Sequence, residues 1–323
     1  GLVKITADST VGGGNGLSSP MVIDLNADDQ ADVVYAGDLK GNLWKFDLTS
    51  ANETNWNVAY NSTPLYVALD SAGARQPITT APTWVNNPYG GLSLAFATGR
   101  EMTSGDPAST SQQTIYAIWD NALIDLSGPT PAFSGGTAIT NGRSALVQRT
   151  QTQTVAGAGA TFYKTSQDSS IAYTGTGAKR GWYFDYPVVG ERTLNNPTIL
   201  DKRLMLMPSL KPRVGSQTSS NEESCELNVT PTENYITVLD VVTGKPYKYP
   251  LFDNDGGGFT GSETNGLSRM YTGNDPVSVM PAKGSNSAFK SDYTVVKSRP
   301  GSTGNTGLRV LDDPAKIGWR HLQ

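Results

Sequence analysis

Nine residues near the start of the chain, Asp24-Leu25-Asn26-Ala27-Asp28-Asp29-Gln30-Ala31-Asp32, carry a pattern with chemistry in it. Side-chain oxygens recur at alternate positions through Asp24, Asn26 and Asp28 and again at Asp32, and the Gln30 backbone carbonyl lies in step between them. Ca2+ takes about six to eight hard oxygen ligands at roughly 2.3–2.6 Å, and a loop that alternates ligand with non-ligand residues can wrap them around one ion. Asp24, Asp28 and Asp32 also repel one another until a cation joins them. The spacing therefore predicts a calcium site made of Asp24, Asn26, Asp28, Gln30 and Asp32. The plainer reading is a solvated acidic turn, because short runs of alternating aspartates arise by chance. Two features of a helix-flanked calcium loop are missing: Asp29 stands where glycine makes the sharp turn, and Tyr35 where a bidentate glutamate closes the shell. Asp accepts left-handed φ better than most residues, so the first departure bears on affinity more than on ligand identity.

Such a loop needs fixed ends. Met21-Val22-Ile23 precedes it and Val33-Val34-Tyr35 follows, both apolar and β-branched, so a sheet rather than a pair of helices holds it. The same style continues along the chain. Short apolar runs bounded by Gly, Pro, Asn, Asp and Ser predict strands at Asp32–Ala36, Leu43–Leu48, Leu65–Leu69, Leu92–Thr98, Ile115–Trp119, Trp182–Tyr186, Ile199–Met207, Tyr235–Leu239, Val277–Met280 and Tyr293–Lys297. No stretch keeps a helical apolar stripe. The unit Val33 to Leu48 reads as a hairpin turning at Lys40-Gly41-Asn42. Its return strand should set Leu43, Lys45 and Asp47 on one face and Trp44, Phe46 and Leu48 on an inward one. Looser echoes run from Leu94–Gly99 to Thr114–Asp120 and from Leu204–Met207 to Asn234–Gly244. Repeated hairpins of this kind predict an all-β fold, a β-propeller in preference to a sandwich. Glycine- and serine-rich stretches at Ser127–Ser144, Gly157–Ala160 with Gly175–Lys179, Arg213–Pro231 and Asp253–Ser268 read as long loop insertions.

Composition removes several classes of function. The one histidine, His321, leaves a Ser-His-Asp hydrolase and a multi-histidine zinc site without their parts. The one cysteine, Cys225, has no partner for a disulfide within these 323 residues. A net charge of −4 with no basic cluster argues against nucleic acid and against an anionic membrane surface. No apolar run reaches the roughly 18–20 residues of a membrane span. The start, Gly1 to Ile5, lacks an initiator Met or a signal peptide and reads as a processed or excised piece.

Other polar clusters are weaker. Asp253-Asn254-Asp255-Gly256 and Asp312-Asp313-Pro314 read as turns, and Glu222, Glu223 and Glu226 around Cys225 as a solvated loop face. Trp44, Trp119, Trp182, Tyr183, Tyr186 and Trp319 suit packing between sheets better than a sugar platform.

From the acidic loop through Val33–Leu48, the sequence closely resembles the C-terminal domain of the PilC/PilY family of type IV pilus-associated proteins. The resemblance continues through Ala97-Thr98-Gly99-Arg100, Ile115–Asp120, Gly181–Asp185, Gly190-Glu191-Arg192 and Ile317-Gly318-Trp319-Arg320, in the family's order. It implies a modified, quinoprotein-like β-propeller at the end of a larger secreted protein, whose N-terminal region, often with a von Willebrand A-like module, is absent from residues 1–323. It implies an incomplete set of four or five blades. It also implies Ca2+ on the five loop residues, with Ala27 and Asp29 departing from the family's glycine-rich loops. By the same resemblance the protein is a non-enzymatic factor in pilus biogenesis, extension against retraction, twitching motility and adhesion. Its partners would be minor pilins at the pilus tip and a host-cell receptor, and its location the bacterial surface, pilus tip, outer membrane or periplasm. Two rivals come from other classes. One is a quinoprotein-like periplasmic dehydrogenase, because Gly37 to Trp44 also resembles repeats of propellers that bind pyrroloquinoline quinone. The other is a glycan-binding propeller.

Overall fold

The computed structural model describes residues 2–7, 14–157, 160–167, 169–214, 232–256, 259, 261–274, 277–281, 290–297 and 306–311. Cys225, Glu222, Glu223, Glu226, most of Arg213–Pro231, Asp312-Asp313-Pro314, the motif Ile317–Arg320 and His321 lie outside the described residues.

The first sheet is built locally. Strand β1 (Met21–Ile23) pairs with β2 (Val33–Gly37), which pairs with β3 (Asn42–Asp47), and β3 carries both β4 (Asn57–Val58) and β5 (Tyr66–Val67), all antiparallel. The β2–β3 turn forms where its sequence predicts it. Gly41 has φ +79°, and a Cβ there would lie 2.5 Å from the Gln76 carbonyl oxygen, so only glycine fits.

The second sheet takes β6 (Thr83–Asn86), β7 (Leu92–Ala97) and β8 (Thr114–Asp120) in order, while β9 (Leu123–Asp125) and β10 (Ala132–Ser134) form a separate ribbon. Then the chain crosses over. After β11 (Val147–Arg149) it makes the hairpin β12 (Gln151–Gly157) and β13 (Ala160–Thr165), which belongs to the third sheet, before β14 (Gly181–Asp185) returns to the second. There β14 pairs antiparallel with β8 and parallel with β11. The third sheet is completed by β15 (Thr198–Asp201), β16 (Leu204–Lys211), β17 (Glu233–Asp240) and β18 (Leu267–Gly273), in the order β12-β13-β18-β17-β16-β15. Strands β19 (Val277–Pro281), β20 (Lys290–Lys297) and β21 (Thr306–Leu311) form a fourth.

These four sheets stack face to face as blades do. Tyr35 and Leu43 of the first meet Leu94, Phe96 and Tyr116 of the second in one core. The opposite face of the second, with Ala95, Ile115 and Phe184, meets Met205, Met207 and Leu239 of the third. The other face of the third, with Leu206, Ile236 and Phe162, meets Leu308 and Val310 of the fourth. Central strands are thus covered on both faces, and β7 and β8 are buried along their whole length. Trp44, Trp119, Trp182 and Tyr186 are buried packing residues; Tyr183 is half-buried and Trp319 is outside the described residues.

Three expectations need correction. The inward face of β3 is not Trp44 and Phe46 alone, because Leu43 and Lys45 are equally buried; a strand between two neighbours has no solvent face. Ile199–Met207 is a hairpin rather than one strand, turning at Lys202, which adopts φ +43°. Gly157 and Ala160 pair with each other at the ends of β12 and β13 rather than belonging to a long insertion, and β12 carries no apolar run because it is an exposed edge strand of Gln and Thr. The other insertions also hold structure: β10 lies inside Ser127–Ser144, and β18 begins at Leu267.

Candidate functional site

The acidic loop connects β1 to β2 and is closed at its base by the Asp32 N–H donating to the Ile23 carbonyl at 2.9 Å. Within it the side chains fold back on the main chain. Asp24 Oδ1 accepts from the N–H groups of Asn26, Ala27 and Asp28 at 3.2, 2.7 and 3.3 Å, and its Oδ2 from Asp29 at 2.8 Å. Asn26 Oδ1 accepts from the Asp28 N–H at 3.2 Å, and Asp28 Oδ1 from the Gln30 N–H at 2.9 Å. Asp32 Oδ2 reaches across to the Leu25 N–H at 2.6 Å. Ala27 and Asp29 adopt left-handed φ of 61° and 65°, which coils the loop tightly enough for these bonds. Asp29 therefore fills the role glycine usually takes. Ala27 does the same, which its sequence position did not announce.

Asp24, Asp28 and Gln30 are exposed, Asn26 is half-buried and Asp32 is buried. Burial raises the Asp32 carboxyl above its ordinary pKa; the Leu25 N–H opposes that rise, and the Asp28 and Asp24 charges add to it. The Asn26 Nδ2 donates to Asp28 Oδ2 at 3.0 Å, placing an amide where a cation would otherwise balance charge. Among the described residues no three His, Cys, Asp or Glu side chains are drawn into a ready ion cage. The donor set nevertheless suits Ca2+, since every candidate ligand is a hard oxygen, although Asp24 Oδ1 is already met by three N–H groups and would have to give some of them up to an ion. The second acidic turn behaves as a turn, with Asp253 Oδ1 accepting from the Gly256 N–H at 2.8 Å.

Two other aspartates near the loop were not singled out by their sequence. Asp38, 1% exposed, accepts from five donors: the N–H groups of Lys40 and Asn42 at 2.9 Å each, Asn42 Nδ2 and Trp44 Nε1 at 2.8 Å each, and Asn15 Nδ2 at 2.9 Å. Its only sequence signal was its place after Gly37 in a tight turn. Asp120, at the end of β8, pairs with Lys45 Nζ at 2.9 Å and accepts from the Tyr35 hydroxyl at 2.6 Å and from the Tyr60 hydroxyl. Burial pushes the Asp120 carboxyl up, but Lys45 and the two tyrosines more than offset it and hold it below the usual carboxylate range. This pair ties the first sheet to the second.

Comparison with known proteins extends this description. A family described as the PilY1 beta-propeller domain matches residues 2–156. The chain is 32% identical over 277 residues to a type IV pilus biogenesis factor PilY1 of Pseudomonas aeruginosa, covering 77% of the chain and 22% of that protein. It is 31% identical over 248 residues to a PilY1 homolog of Xylella fastidiosa, covering 72% and 14% respectively. The chain thus spans less than a quarter of the length of these curated relatives. The crystal structure of the P. aeruginosa PilY1 C-terminal domain superposes with a TM-score of 0.70 at 27% identity, covering 95% of this chain and 63% of that one.

Proposed function

The chain belongs to the PilY1 family and has its β-propeller fold, and from that premise we propose that it is the calcium-responsive, non-enzymatic propeller portion of a type IV pilus biogenesis factor. The observation that carries the reading is the position of the acidic loop. It lies inside the residues matched to the family and hangs from two paired strands, so its order is mechanically tied to the first sheet. Asp24, Asn26, Asp28, the Gln30 carbonyl and Asp32 would hold the ion, which supplies two positive charges to a cluster of mutually repelling carboxylates. The chain's own part is to pre-coil the loop through Ala27 and Asp29 and to anchor its end through the buried Asp32. Loop order then alters the surface beside β1 and β2 without moving whole sheets, a local charge event read out by a partner.

In this reading the surface meets minor pilins at the pilus tip and, during adhesion, a host-cell receptor, with effects on extension against retraction and on twitching. The protein would act at the bacterial surface or pilus tip; among the described residues no helix is long and apolar enough to cross a membrane. The test begins with calorimetry. Ca2+ should bind once, Mg2+ should compete poorly because it keeps a tight octahedron of waters, and Asp24→Ala and Asp28→Ala should each abolish binding. In a strain carrying the full-length protein, Asp24→Ala should change surface piliation or twitching at unchanged protein abundance. Wild-type piliation, twitching and adhesion at every calcium level would end the regulatory reading.

A further inference from the structure

Between β4 and β5 the chain makes a turn that its residue types oppose. Tyr60, Asn61 and Ser62 all adopt left-handed φ, at 57°, 54° and 59°. L-residues visit that region singly, and mostly through glycine, asparagine or aspartate. Asn61 therefore sits there with little strain, and the strain falls on Tyr60 and Ser62. Both ends of the turn are pinned. Val58 is buried and pairs with Phe46 of β3, while Leu65 is buried and its carbonyl accepts from the Ile139 N–H at 2.8 Å. Inside the turn the Thr63 N–H donates to the Tyr60 carbonyl at 3.1 Å. Asn61 and Ser62 are exposed, and Tyr60 is half-buried.

Tyr60 fastens the turn to a buried charge pair. Its hydroxyl donates to Asp120 Oδ1, and its ring centroid lies 5.5 Å from Lys45 Nζ, which also lies 3.6 Å from the centroid of the Phe133 ring. Lys45 and Asp120 are each 2% exposed, so Tyr60 is part of what keeps water from them.

This fastening can let go without stranding a charge. When Tyr60 leaves, Asp120 keeps Lys45 Nζ at 2.9 Å, the Tyr35 hydroxyl at 2.6 Å and the Ala122 N–H at 3.1 Å. One hydrogen bond to a carboxylate is lost, left-handed strain at two residues is released, and the two effects are of the same order. Two arrangements of comparable free energy make a bistable element, and strained backbone persists only while its surroundings hold it. We propose that residues 60–62 are a strained lid, latched by Tyr60 on Asp120, which opens locally while the sheets stay folded and admits solvent to the Lys45–Asp120 pair. Because that pair ties the sheet carrying the acidic loop to its neighbour, opening loosens the joint between the two. The lid does not depend on calcium at the loop.

The experiment is acylation of the lysines of the 323-residue chain by an acetyl N-hydroxysuccinimide ester, mapped by mass spectrometry, with the exposed Lys202 as internal reference. In the parent, Lys45 should react slowly, at a rate that stays flat up to about 1 M urea, because a local opening exposes little surface. Tyr60→Phe keeps the ring and removes the latch; it should speed Lys45 about tenfold, the size of one hydrogen bond to a charged group, and leave Lys202 unchanged. Ser62→Gly relieves strain in the closed turn alone, so it should slow Lys45 severalfold. A parent Lys45 rate that climbs with urea in step with global unfolding, an unchanged rate in Tyr60→Phe, or an unchanged or faster rate in Ser62→Gly would each overturn the proposal.

Discussion

Asp24–Asp32 and the turn at Asp38 lie within fifteen residues of each other, both flank β2, and both are built on aspartate, yet they solve opposite problems. In the turn, one buried carboxylate meets five protein donors, two of them from the side chains of Asn42 and Trp44. In the loop, three carboxylates share one coil and receive backbone N–H bonds, but no cationic side chain; Asp24 and Asp28 add to the raised pKa of Asp32. A carboxylate saturated by protein donors is part of the architecture. Carboxylates that oppose one another raise each other's pKa instead, as Asp28 and Asp24 do to Asp32. Burial or acidity alone separates neither case; the donor inventory does.

The sharpest way to break this comparison is Asp38→Ala. It leaves at least the Asn42 and Trp44 donors buried without an acceptor, and at about 1–3 kcal/mol each, together with the lost turn, the variant should lose roughly 5 kcal/mol. Urea denaturation measures it, and a loss below about 1 kcal/mol would show that Asp38 is no keystone.

Next in size is Lys45→Met, which strands the buried Asp120 charge and should cost about 3 kcal/mol or more. Adding Asp120→Asn should recover part of that loss, since an amide tolerates the site without a cation. A double variant no more stable than Lys45→Met would place the cost in the lost contact with the Phe133 ring, whose centroid lies 3.6 Å from Lys45 Nζ, instead of in charge.

The loop should respond to calcium rather than to truncation. At a hundredfold excess over Kd, Ca2+ should stabilise the parent by about 2.7 kcal/mol, and Asp24→Ala or Asp28→Ala should erase that gain while changing calcium-free stability by no more than about 1 kcal/mol. Loss of the far-UV β signal in chelator would instead make the loop a folding nucleus.

The smallest expected effect concerns Asp106, which resembles Asp38 in being met by protein N–H groups. The Met102 N–H leads the causes that lower its pKa from 3.8 to about 2, against the opposing effect of burial. Its folded pKa lies below the unfolded one, so its contribution is complete above pH 3.8 and disappears as pH falls toward about 2. Asp106→Asn should flatten that part of the acid-denaturation curve.

Legibility followed the range of the interaction. The acidic loop could be read because ligand spacing, flanking strands and the tolerance of Asp29 for left-handed φ are all local. The Gly41 turn and the β7–β8 and β16–β17 pairings were readable for the same reason. Lys45 was placed on the wrong side of the ledger of burial, since its partner is 75 residues away on β8 and nothing within β3 announces it. The Gln- and Thr-rich β12 read as loop because an edge strand carries little apolar signal.

What the order of residues determined by itself was the β architecture, the hairpin of the first sheet, the oxygen-rich loop and the family resemblance, because turns, strand patterns and ligand spacing act over a few residues. Only the tertiary structure decided that β12 and β13 leave one sheet for the next before β14 returns, that Lys45 neutralises Asp120, and that Tyr60 reaches the same carboxylate. Those outcomes depend on which faces stack and which buried charges must be met, and both are settled between segments tens of residues apart, where no local preference acts.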